Sequence, residues 1–149
     1  MKRFFAVLGI ILLILLVSKI IHEIKDNYED KQQDPYLLSL VKELSQIESV
    51  KKVIHRSQLR FFDARKSYTI NKKYVHICMY DQDGKLYPKN QLVLVLLHEI
   101  AHAMCDEIGH TNKFHSILDD LLEEAKIKKL YDPSISPIIG YCTYNDGKE

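Results

Sequence analysis

The chain has 149 residues, 46% of them hydrophobic and 28% charged, which excludes the disordered and collagen-like classes and leaves one domain-sized core. Lys and Arg number 21 against 20 Asp and Glu, and a net charge of +1 points to no nucleic-acid partner. Three cysteines are too few for a disulfide scaffold.

From Phe4 to Val17 the sequence carries no polar residue; Ser18 and Lys19 interrupt, and Ile20-Ile21 continue the apolar run. A helix over residues 4–21 would span about 27 Å, close to a hydrocarbon core of about 30 Å, with Lys19 snorkelling to the interface. The pattern predicts a single-pass transmembrane anchor at residues 1–22, with the membrane as a partner and a membrane localisation. A cleaved signal peptide fits less well, because Leu16-Val17-Ser18-Lys19 lacks a small-x-small cleavage site.

Residues 23–34 are polar and read as a linker, and residues 35–149 as the folded domain. Asp34 is a helix cap for Pro35 at the first helical position, and Leu37, Leu38, Leu40, Val41, Leu44 and Ile47 recur at helical spacing over about 35–48. Residues 50–63 read equally as short strands or helix. Ser67–Ile70 and Lys73–Tyr80 are rich in β-branched and aromatic residues around Asn71-Lys72, a hairpin pattern. In the second strand Val75, Ile77 and Met79 should face the core, with His76, Cys78 and Tyr80 opposite. A strongly apolar helix follows over about 90–106, broken by Ile108-Gly109. Thr111 caps the next helix, about 112–129, whose inner face is Phe114, Ile117, Leu118, Leu121, Leu122 and Ala125. Beyond Asp132-Pro133 the tail is irregular.

The apolar helix contains His98-Glu99-Ile100-Ala101-His102. Two imidazoles at i and i+4 lie on one face and can share a Zn²⁺. Glu99 stands beside the metal without having to bind it, and can take a proton from a water and return it to a leaving amine. The preceding Leu92–Leu97 run buries the motif, and a buried carboxylate needs compensation that a metal supplies. A catalytic zinc keeps three protein ligands and one open position. Gly109 allows the chain to reverse, and His110 follows at once; Glu123 or Glu124 of the next helix, or His115, are the alternatives. His115 reads otherwise as a packing histidine. Cys105 reads as a buried thiol near the metal, with pairing to Cys142 possible in an oxidising compartment. His76 reads as a half-exposed sheet histidine, and Tyr141 and Tyr144 as candidates for oxyanion stabilisation.

The stretch HEIAHAMCDEIGHTNKFHSILDDLLEEA resembles the zincin core of WLM and SprT-like metallopeptidases, through the pattern HExxH…GHxxxFxxxxxxLL. Within that family it is most like the small zinc peptidases predicted for large DNA viruses. The resemblance extends through SYTINKKYVHICMYDQDGKLY and YDPSISPIIGYC, roughly residues 65–144. It implies an α+β zincin-like domain: an active-site helix, a small antiparallel sheet and a following C-terminal helix. It also implies one Zn²⁺ per chain on His98, His102 and His110, with Glu99 as general base and acid. The implied activity is hydrolysis of a protein or peptide substrate, held as an extended segment along an edge strand. Tyr74–Tyr80 is the candidate strand. The alternative is a catalytically inactive, zinc-stabilised binding scaffold.

Overall fold

The computed structural model describes residues 11–21 and 33–142, which fall into two units, residues 1–32 and residues 33–149. In the first unit, residues 11–21 form helix α1. Eleven residues rise about 16 Å, roughly half of a bilayer's hydrocarbon core. Among the described residues no helix is long and apolar enough to cross a membrane. The expected single-pass anchor, and with it the membrane as partner and localisation, is therefore corrected: the apolar run is longer in sequence than the helix described on it. Residues 1–10 of that expected segment, and most of the expected linker, lie outside the described residues.

The second unit is α+β. It runs α2 (Pro35–Leu44), α3 (Glu48–Ser57), β1 (Arg60–Asp63), β2 (Tyr68–Ile70), β3 (Tyr74–Ile77), α4 (Lys89–Met104) and α5 (Asn112–Ile127). Asp34 caps α2 as expected, its carboxylate accepting from the backbone N–H groups of Tyr36 (2.8 Å) and Leu37 (3.0 Å). The helix stops at Leu44, and a turn leads into α3, so the ambiguous stretch resolves into α3 and β1. Gln58 ends α3 in the left-handed region at φ 49°.

The three strands lie in the order β1-β3-β2, with β1 parallel and β2 antiparallel to β3. The sheet is thus mixed, not purely antiparallel as expected, because β1 joins it on the far side of β3. The hairpin between β2 and β3 is present, and Asn71 and Lys72 at its turn both take positive φ, 52° and 53°. Val75, Ile77 and Met79 are fully buried, as expected, but so is Cys78, and His76 is buried as well, so both faces of β3 are covered.

Helix α4 packs on β2, β3, α3 and α5. Leu92, Leu96, Leu97 and Ile100 are completely buried there, which explains why this helix is apolar on nearly every face. Each such side chain gains roughly 1.5–3 kcal/mol on leaving water. From α5, Phe114, Leu121 and Ala125 complete the core.

The segment after α5 is tied back to the domain at several points. Asn90 bonds both backbone groups of Asp132, and Gln91 Oε1 accepts from Ile138 N at 2.8 Å. Cys142 N donates to the Tyr87 hydroxyl at 3.1 Å. Cys142 is joined by a disulfide to Cys78, and Cys105 is a free, buried thiol. The possible Cys105–Cys142 pair is thereby corrected: Cys105 ends α4 inside the core, whereas Cys78 follows β3 where the tail passes.

Candidate metal centre

Four residues of the HExxH segment and its sequel converge on one cleft of about 490 Å³, walled on one side by α4 and on the other by β2 and its turn. His98, Glu99 and His102 come from α4. The helix stops at Met104, where Cys105 turns to extended backbone and the Lys72 ammonium donates to its carbonyl. The chain reverses through Gly109, whose φ of +85° is a region L side chains avoid. No atom lies within 4 Å of where a Cβ would stand, so the need for glycine there is conformational, not steric. His110 follows. Thr111 then caps α5, its hydroxyl accepting from Phe114 N at 3.3 Å.

His110 Nε2 lies 3.1 Å from His98 Nε2 and 3.2 Å from His102 Nε2. Tetrahedral Zn–N bonds of about 2.0–2.1 Å would set ligand nitrogens about 3.3 Å apart. The spacing fits one such ion. Without a cation, His110 Nε2 has only one proton or one lone pair to share between both neighbouring rings. Among the described residues this trio is the one group of three or more His, Cys, Asp or Glu placed to hold a metal. Glu123 and Glu124 do not join it: Glu123 pairs with Lys126 at 3.0 Å, and Glu124 accepts from Ser49 at 3.3 Å.

The floor beneath the three rings is Phe114, fully buried, with ring centroids 5.0, 4.3 and 4.8 Å from His98, His102 and His110. Burial, with repulsion from His102, His110 and His115 added, lowers the pKa of His98 to about 4. Burial and then His110 lower that of His102. Both rings are therefore neutral near pH 7, the state in which imidazole ligates a metal.

Glu99 is 5% exposed. Burial raises its pKa, and a hydrogen bond from Thr69 opposes the rise.

No family model matches the sequence, and no solved structure matches the fold. Two proteins of invertebrate iridescent viruses do match. Uncharacterized protein 136R of invertebrate iridescent virus 6 is 42% identical over 89 residues, which is 58% of this chain and 50% of that protein. Uncharacterized protein 042R of invertebrate iridescent virus 3 is 41% identical over 88 residues, covering 58% of this chain and 55% of that one. The chain thus spans about half the length of these curated relatives.

Other expected residues fall elsewhere. His115 is exposed, its ring centroid 6.2 Å from that of His110, and is neither a packing residue nor part of the trio. His76 is buried rather than half-exposed, stacked between Tyr68 (4.5 Å) and Phe62 (5.2 Å) across the sheet. Tyr141 gives its hydroxyl to the Cys78 carbonyl and meets Ser67 Oγ at 3.1 Å; burial pushes its pKa up to about 12. Tyr144 lies outside the described residues. The strand expected to receive substrate, Tyr74–Tyr80, is corrected: β3 is the central strand, hydrogen-bonded on both sides, and the open edge at the cleft belongs to β2. Two site residues escaped the sequence reading, Thr69 and the floor role of Phe114. The alternation of Tyr68-Thr69-Ile70 carried a signal for the first, since it puts Thr69 alone on the helix side.

Proposed function

We propose that the chain is a zinc-dependent metallopeptidase of zincin type, related to the WLM and SprT-like enzymes, that hydrolyses peptide bonds in a protein or peptide substrate. The observation that carries this reading is the convergence of three imidazole Nε2 atoms beside a buried carboxylate in one open cleft. His98, His102 and His110 fit one Zn²⁺ and leave its fourth position open, since no further ligating group joins them among the described residues. The ion, when bound, supplies a Lewis acid that lowers the pKa of a water and polarises an acyl carbonyl.

The chain's own residues do the rest. Glu99 takes a proton from the attacking water as the water oxygen bonds to the acyl carbon. It returns that proton to the amine as the C–N bond breaks. The outer edge of β2 offers unpaired backbone groups to an extended substrate. The scaffold alternative calls for a closed fourth position, and neither Cys105 nor His115 provides it.

The test is zinc content together with hydrolysis of an unstructured protein substrate by the full chain. Glu99→Gln should keep about one zinc per chain and lose roughly 10²–10⁴-fold in rate. Wild-type hydrolysis by Glu99→Gln would overturn the mechanism. Full zinc in His110→Ala, with loss in Glu123→Ala or Glu124→Ala, would overturn the ligand set.

A further inference from the structure

The edge strand of the sheet reaches the candidate base directly. Thr69 is the middle residue of β2 and pairs with Val75 of β3. Cross-strand partners share a face, so Thr69 points with the buried Val75 toward α4, while Tyr68 and Ile70 point the other way. There Thr69 Oγ1 lies 2.8 Å from Glu99 Oε2 and 3.1 Å from the Glu99 backbone carbonyl. A hydroxyl has one proton to give, and a carboxylate is the stronger as well as the nearer acceptor. Among the described residues, no other hydrogen bond to the Glu99 carboxylate accompanies it. The neighbouring hydroxyl, Ser67 Oγ, is committed elsewhere: it accepts from Cys78 N at 2.9 Å and meets the Tyr141 hydroxyl.

A glutamate side chain has three rotatable bonds, and a general base works only within hydrogen-bond reach of its proton. We propose that Thr69 is the positioning residue for Glu99. It anchors Oε2 and so leaves Oε1 as the oxygen that faces the attacking water. The proposal rests on the reading of the chain as a zinc peptidase. It adds a coupling that reading lacks. The strand whose open edge aligns the substrate backbone also fixes the base, so scissile bond and proton acceptor share one rigid reference. Thr69 itself exchanges no proton and touches no reacting atom.

The experiment compares Thr69→Val and Thr69→Ser with wild type for zinc content, kcat and KM on one peptide. Valine keeps the branched shape and removes the hydroxyl; serine keeps the hydroxyl and removes the methyl. Thr69→Val should hold about one zinc per chain, keep KM within about twofold and lose roughly 10- to 100-fold in kcat, the scale of a displaced catalytic group. Thr69→Ser should recover kcat to within about threefold of wild type. Wild-type kcat in Thr69→Val overturns the proposal. So does an equal loss in both variants, which would mark strand packing, or zinc loss from Thr69→Val, which would mark a role in holding the metal helix. A wild-type protein that hydrolyses nothing refutes the peptidase reading itself, and this proposal with it.

Discussion

The ring of Phe114 lies stacked on that of His102, centroids 4.3 Å apart and planes 29° from parallel. Phe114 belongs to α5 and His102 to α4, so the contact joins the two helices at the point where the three proposed ligand histidines meet. The same ring meets His98 and His110 at steeper angles of 69° and 59°. One aromatic side chain therefore contacts all three imidazoles.

Replacing Phe114 by Leu should keep the core filled while freeing the three rings to rotate. Zinc affinity should fall by about 10–100-fold, the usual cost of losing a group that orients ligands. Competition with a chelator of known affinity measures this. Unchanged affinity in Phe114→Leu would show that the rings are held by something else. Phe114→Ala should unfold more easily by about 3–5 kcal/mol, the range for a fully buried aromatic.

Acidity should act on the metal-free protein through His98. Its folded-state pKa of about 4 lies below the ordinary value of 6.5. Above pH 6.5 neither the folded nor the unfolded chain carries the proton. Between 6.5 and 4 the unfolded chain binds a proton that the folded chain refuses, so stability drops on acidification through that window. His102 shifts in the same direction and adds to the drop. The melting temperature of metal-free protein should fall from pH 7 to pH 4.5, and less steeply in His98→Gln. Parallel curves for the two proteins would refute the assignment.

The cysteines give a third expectation. The denatured but unreduced chain should show one titratable thiol, that of Cys105, since Cys78 and Cys142 are paired. Their separation of 64 residues predicts that Cys142→Ser loses about 4 kcal/mol on a chain-entropy account. Cys105→Ser should lose less, because it breaks no cross-link. Urea unfolding of the two variants decides the order. Three titratable thiols in the denatured wild type would exclude the disulfide.

Local chemistry made much of this fold legible in the sequence. Asp34 and Thr111 announce their helices because a side-chain oxygen before a helix has one dominant use. Gly109 announces a reversal, and the i, i+4 spacing of His98 and His102 needs only helical geometry. What stayed hidden depends on distant partners. Whether Tyr74–Ile77 is an edge or a centre turns on β1, whose four residues carry no pattern that separates strand from helix. Thr69 gains its meaning only from the register that sets it opposite Val75. The Cys78–Cys142 pair depends on the path of an irregular tail. The expected anchor failed differently: it rests on hydropathy alone, and the helix described on that run, residues 11–21, is too short to cross a membrane.

The cross-link between Cys78 and Cys142 closes a loop that contains Glu99 and the proposed ligands His98, His102 and His110. The most exposed part of that loop near the cleft includes Ile108, 94% exposed and adjacent to the Gly109 reversal. A single break in the backbone there would part His98 and His102 from His110 in sequence. It would not release either piece, because the sulfur bridge still ties the two ends together. Such a nicked protein would migrate as an intact chain until reduced, so wear at this loop would leave the ligand set on one covalent molecule.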